Sequence, residues 1–188
     1  MTRSPRRLAC LIALLAAPLG VAAEEISTSP SPRALEAMQL LTSEDLYQRQ
    51  LGFLRLEALR EASTIETIAH YVSDPEPAVR AYSLRALAAV QGAGSVPALL
   101  GAFSDKHPIV RRAAVLGLEP LIPTHAESLP ALIALLNDRN PYVRMAVIDV
   151  LSRQDAVLAK EAVLSHRRHE RDRDVKRVLN AAIKRLSR

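Results

Sequence analysis

The sequence predicts an all-α protein in which about four to five helix pairs stack into an α-solenoid. The 188-residue chain is 49% apolar but only 3% aromatic, with 6 glycines and no tryptophan, a composition that favours helices over strands. A motif recurs at spacings of 31, 33 and 32 residues, and its basic anchor is Arg80, Arg111, Arg144 and Lys176. No segment alternates apolar and polar residues for long enough to form a sheet.

The first 23 residues have the pattern of an export signal. A basic region at residues 3–7 is followed by an apolar stretch at residues 8–19 and by small residues at 21–23. The apolar part, residues 8–23, is shorter than the ~18 residues that cross a hydrocarbon core. We therefore expect cleavage after Ala23 and a periplasmic or secreted protein without stable membrane insertion.

Removing that signal changes what the charge implies. The remaining chain has 22 Lys and Arg against 20 Asp and Glu, a net charge of +2, so the basic precursor gives no nucleic-acid signature. Its only cysteine, Cys10, lies in the signal, which excludes disulfides, thiolate zinc sites and a cysteine nucleophile from the remainder. We expect no cofactor and no nucleic-acid partner.

Each repeat is predicted to contain two helices joined by a turn. The second helix begins at a proline, which is tolerated at the first helical position, in three repeats: Pro77, Pro108 and Pro141. Asn140 is predicted to cap one second helix, and Ser95 and Ser128 to cap two first helices. Apolar residues three, four and seven positions after the anchor predict a buried stripe.

These features predict the following organisation. A degenerate helix pair near the start has Leu51, Leu54 and Leu59 as its core candidates. The last helix carries excess basic charge, which we interpret as the polar outer surface of a terminal repeat. The boundaries are a signal peptide at 1–23, a flexible mature N-terminus at 24–31, the degenerate pair or cap at 32–62, and repeats at 63–188, divided into 63–92, 93–121, 122–153 and 154–188.

The motif Asp-x-x-Pro-x-Val-Arg begins at Asp74, Asp105 and Asp138, and it resembles the HEAT-repeat family, in particular short repeats of the phycobilisome-lyase type. A fourth copy beginning at Glu170 diverges, with Lys176 in place of the arginine. The resemblance implies a right-handed superhelix. It also implies a structural ladder tying adjacent repeats together, formed by Asp74, Arg80, Asp105, Arg111, Asp138 and Arg144.

Residues that vary where the core does not are the better candidates for partner binding. One and five positions after the anchor, the chain presents different residue types from repeat to repeat. On a solenoid such positions can carry specificity without disturbing the fold. The predicted protein-binding residues are Arg112, Met145, Asp149 and Arg177, with an ordinary solvated helix surface as the alternative.

No reaction centre is evident. His166 and His169 are three residues apart and Glu170 follows, but this charged segment favours a solvated loop over a metal site. The sequence therefore favours a monomeric, non-catalytic scaffold or adaptor that binds a protein of unknown identity, with no metal and no catalytic residues. The alternative is a lyase-like or metal-dependent enzyme with a site on the concave face.

Overall fold

A computed structural model describes residues 29–187, so the predicted signal peptide and residues 24–28 lie outside the described residues. The described chain forms five consecutive helix pairs. Their bounds are α1 Pro32–Leu40 with α2 Leu46–Leu59, α3 Ile65–His70 with α4 Pro77–Gln91, α5 Val96–Ala102 with α6 Pro108–Leu118, α7 Leu129–Ala134 with α8 Pro141–Leu151, and α9 Val157–His166 with α10 Arg173–Leu186.

The pairs stack into two layers. The second helices, α2, α4, α6, α8 and α10, pack against one another in sequence order, whereas most first helices mainly contact elements of their own repeat. Residues 29–187 contain no strand. The predicted all-α solenoid is therefore confirmed.

Every second helix begins with a side-chain cap, and in α4, α6, α8 and α10 this cap lies four residues before the basic anchor. In each case the capping side chain accepts a hydrogen bond from the backbone N–H two residues later. The caps are Asp45, Glu76, His107, Asn140 and Asp172. The repeated turn thus fixes where each second helix starts.

The predicted caps Ser95 and Ser128 are wrong. Each hydroxyl instead donates to the carbonyl three residues earlier, Ser95 to Gly92 and Ser128 to His125, over 2.6 Å. The reason is that a 3₁₀ turn precedes each first helix, so the serine already has helical backbone angles and its hydroxyl reaches the carbonyl three residues earlier.

One hydrophobic core runs through the stack. Its N-terminal part contains Phe53, Leu56 and Ile68, while the larger part extends from α4 to α10. Val72 and Ala98 pack against both parts and make them continuous. Because a helix pair cannot bury its apolar surface alone, the stability of each repeat depends on its neighbours.

The leucines predicted for the core of the first repeat lie at its edge: Leu59 packs against the core, but none of the three is fully buried. Leu54 is 42% exposed, and Leu51 and Leu59 are only partly buried. Instead α2 buries Gly52, Phe53 and Leu56 against its neighbours, because α4 packs on one side of this helix and α1 on the other. The leucine spacing fitted a helical stripe, but the buried stripe has a different phase.

Gly52 shows how closely α1 and α2 approach each other. A Cβ at this position would lie 2.7 Å from a methyl of Leu41 and 2.8 Å from the backbone oxygen of Ala37. The absence of a side chain therefore allows the first pair to close.

None of the helices within residues 29–187 combines the length and apolar character needed to cross a bilayer.

Candidate functional site

A ladder of ion pairs connects successive repeats. In three repeats the anchor arginine binds the carboxylate of the following turn through Nε and Nη2, with Nε···O distances of 2.6–2.8 Å. The bidentate pairs are Arg80–Asp105, Arg111–Asp138 and Arg144–Glu170. In addition, Nη1 of each arginine donates to the backbone oxygen of the acidic residue in its own turn, over 2.8–2.9 Å. One guanidinium therefore holds two turns in a fixed relation.

The acidic residues also shape the turns. Asp105 Oδ1 accepts the backbone N–H of His107 over 2.7 Å, and Asp138 Oδ1 accepts that of Asn140 over the same distance. Each carboxylate thus closes a turn and also binds the arginine of the preceding repeat. This double role explains why the motif repeats as a unit.

The ladder side chains are shielded from solvent. Arg111 and Asp138 side chains are 6% and 5% exposed. Hydrogen bonds to Asp138 raise the pKa of Arg111 above its usual value. Burial raises the pKa of Asp138, but hydrogen bonds from Arg111 and the Asn140 backbone outweigh it and lower that pKa overall. Both groups are therefore held in their charged forms.

The ladder begins one repeat earlier than the sequence analysis placed it. Arg49 Nη1 of α2 lies 3.4 Å from Asp74, at the same sequence separation as Arg80 and Asp105 but as a single contact in place of a bidentate pair. The sequence does contain the spacing that predicts this pair, because Arg49 precedes Asp74 by 25 residues and follows the cap Asp45 by four. The degenerate first pair hid it, since no proline or Val-Arg marks the helix start.

The ladder ends at Glu170. This carboxylate accepts two hydrogen bonds from Arg144 and one each from the backbone N–H groups of Arg171 and Asp172. It also lies 3.1 Å from His166 Nε2. The interpretation of this segment as a solvated loop is wrong for His166 and Glu170, which are 7% and 6% exposed. His169 does remain exposed. Glu170 thus takes the position that an aspartate holds in the other repeats, and it binds the arginine of the preceding repeat in the same way.

The Glu170 contacts predict a specific acid sensitivity. Burial raises its pKa, but the hydrogen bonds, led by that from Arg144, lower it from 4.5 to about 2. A lowered folded-state pKa adds stability above pH 4.5 that is lost as the pH falls toward 2, on the order of 3 kcal/mol for this shift. Urea unfolding of the protein and of Glu170→Gln across this range measures the loss. The variant should be less stable at neutral pH and lose less stability on acidification; parallel pH profiles for the two proteins contradict the assignment.

The four predicted binding residues lie on the same side of three second helices, α6, α8 and α10, because each is one or five positions after its anchor. Arg112 is exposed on α6, whereas Met145 is half-buried and packs against the core. Asp149 pairs with Arg153 and Arg185, and Arg177 pairs with Asp174. No hydrogen bond or ion pair within the described part of the chain joins any two of the four.

A distinct exposed surface emerges from the second helices. Tyr47, Ile109 and Tyr142 each lie two positions before an anchor and are 67%, 42% and 67% exposed. Their side chains share one side of the layer with those one, two and five positions after the anchor. We call this the second-helix face, and its members include Tyr47, Leu54, Tyr82, Arg85, Ile109, Arg112, Tyr142, Met145, Asp149 and Arg177. The sequence analysis selected Arg112, Met145, Asp149 and Arg177 but missed the apolar column.

Arg112 occupies the centre of this face. It lines three adjoining hollows, between α6 and α8, between α4 and α6, and along the C-terminal halves of α2, α4 and α6. In the described residues, no group of three or more His, Cys, Asp or Glu side chains is placed to hold a metal ion. The face combines apolar side chains with guanidinium groups, which is a composition suited to contact with another macromolecule.

The fold and the ladder define a class, an α-solenoid built from helix-pair repeats whose turns are joined by the same contacts from repeat to repeat. The family model for HEAT repeats matches residues 34–119 and 102–184, so the chain belongs to the HEAT-repeat family. This confirms the resemblance drawn from the Asp-x-x-Pro-x-Val-Arg motif.

A solved structure shows the same architecture. The chain is similar to one in the complex of CpcE and CpcF of phycocyanin lyase from Nostoc sp. PCC7120, with a TM-score of 0.67 and 21% sequence identity. The match covers 79% of this chain and 96% of that one. No curated protein matches the sequence. At this level of identity the likeness establishes the fold alone.

Proposed function

We propose that this protein is an exported, non-catalytic scaffold that binds a protein partner through the second-helix face. The observation that carries the proposal is the pair of exposed side chains Ile109 and Tyr142 on the neighbouring helices α6 and α8, with Tyr47 and Leu54 exposed on the same side of α2. Exposed apolar side chains placed together on one surface are typical of interaction sites. In addition, the structurally similar lyase chain is part of a complex of two proteins, CpcE and CpcF.

Export rests on the features of residues 1–23. Cell fractionation followed by N-terminal sequencing tests it. We expect the protein in the periplasm or medium with Glu24 as its first residue; an intact N-terminus in the cytoplasm contradicts export without affecting the binding proposal.

Site-specific photo-crosslinking in cells tests the binding surface. A photoreactive amino acid at Tyr142 should give a discrete adduct, because this side chain projects from the second-helix face. The matched control is Leu158, an apolar residue of α9 that is 49% exposed on the other layer. The captured protein, once purified, should bind more weakly to Tyr142→Ala than to the parent. Equal adducts from both positions, or none from Tyr142, contradict the proposal.

The alternative is a lyase-like enzyme. It draws support from the fold of the phycocyanin lyase chain and from the hollow of about 660 Å³ beside Arg60, Arg85 and Arg112. A fold at this level of identity does not transfer an activity. Stoichiometric pigment or metal retained by the natively purified protein favours the enzyme over the scaffold.

A further inference from the structure

The hollow between the N-terminal ends of α6 and α8 is a mainly apolar binding surface. Its lining comprises His107, Pro108, Ile109, Arg112, Asn140 and Tyr142. The second hollow, between α4 and α6, lies on the other side of Ile109 and includes Tyr82 and Leu116. Two apolar hollows therefore lie side by side, and Arg112 lines both of them.

The third hollow is basic. Arg60, Arg85 and Arg112 line it together with one acidic side chain, Glu57. Arg85 is paired with Glu57 over 3.2 Å, and its guanidinium lies 5.8 Å from the Tyr82 ring centroid. The lining thus has three positive charges against one negative charge. An occupant with negative charge fits this balance.

Arg112 differs from its neighbour in the sequence. Arg111 is fully engaged in the ladder, whereas no ion pair or side-chain hydrogen bond within residues 29–187 engages the Arg112 guanidinium. The side chain is exposed and stands where the three hollows meet. An incoming carboxylate can therefore bind Arg112 without breaking an existing pair.

We infer that the three hollows together form a groove that binds a protein segment in which carboxylates are interspersed with aliphatic or aromatic side chains. A carboxylate of this segment binds Arg112, and its apolar side chains pack on both sides of Ile109. The inference rests on the proposed scaffold function and specifies its partner. A uniformly charged polyanion fits less well, because it would leave Ile109 and Tyr142 uncovered. Successive second helices are ~8–10 Å apart, so a segment of about 12 residues, ~18 Å long as a helix, spans the three hollows.

Selection from a displayed library of random peptides of about this length, with the purified protein as bait, tests the inference. We expect enriched peptides to combine Glu or Asp with Leu, Ile, Phe or Trp. A representative enriched peptide, made synthetically, should bind about 10-fold or more weakly to Arg112→Glu than to the parent. Its affinity should also fall with increasing salt.

The control variant is Arg168→Glu, which makes the same change of charge at an exposed arginine that follows α9. Binding unchanged by Arg168→Glu but weakened by Arg112→Glu supports the inference. Enriched peptides that lack acidic residues yet depend on Tyr142 overturn the inference while leaving the scaffold function intact. Absence of any enriched peptide, or equal effects of the two variants, also overturns the inference; photo-crosslinking at Tyr142 then decides the scaffold function separately.

Discussion

Replacing Arg111 by alanine is expected to lower the free energy of unfolding by about 3–5 kcal/mol, which is typical of breaking one partner out of a buried ion pair. The substitution leaves the Asp138 carboxylate, 5% exposed, without its guanidinium and removes the hydrogen bond to the Asp105 carbonyl. Urea denaturation followed by far-UV circular dichroism measures the loss.

The next residue in the chain provides the control. Arg112→Ala should change stability by no more than about 0.5 kcal/mol, because this side chain is exposed and unpaired among the described residues. The double variant Arg111→Ala/Asp138→Ala should lose less stability than the sum of its single changes, since it leaves no uncompensated charge. Equal losses for Arg111→Ala and Arg112→Ala contradict a stabilising ladder.

Phe53→Ala is expected to lower the free energy of unfolding by about 3–5 kcal/mol, as large-to-small core substitutions do. Phe53 is fully buried and meets the Tyr71 ring edge-on, with ring centroids 5.5 Å apart. Because repeats contact only their neighbours, the damage should concentrate in the N-terminal pairs. Hydrogen exchange should therefore accelerate in α1–α4 more than in α8–α10.

Leu54→Ala, one residue further on, is the matched control. Leu54 is 42% exposed, so its loss should affect stability only slightly. If Leu54→Ala proves as damaging as Phe53→Ala, the observed phase of α2 is wrong and the leucine stripe predicted from the sequence is right.

The repeat motif was sufficient to predict the fold but not the partners within the ladder. The spacing of Arg80, Arg111 and Arg144 predicted stacked helix pairs, and the acidic residues were expected beside them. Which carboxylate each arginine binds depends on the rise from one repeat to the next. That rise is set by side-chain packing between helices, and a motif spacing does not contain it.

The candidate site was predictable only in part. Position-by-position variation drew attention to Arg112, which the structure places at the centre of the second-helix face. The same criterion selected Asp149, whose carboxylate binds Arg153 and Arg185. Variation does not distinguish an unpaired side chain from one engaged by a residue 36 positions away. Ile109 and Tyr142 were missed because an apolar residue near a helix start is normally assigned to the core.

The ladder runs in one direction, so the repeat array is polar and its two ends differ, as in a head-to-tail polymer of identical subunits. Each of the four ladder arginines, Arg49, Arg80, Arg111 and Arg144, binds a carboxylate of the next repeat toward the C-terminus, so each repeat has a donor on one side and an acceptor on the other. Head-to-tail contacts of this kind continue into open filaments unless something interrupts them. Within the described residues the last of these contacts is Arg144–Glu170, and in α10 Lys176 takes the arginine's place, exposed and without an ion pair.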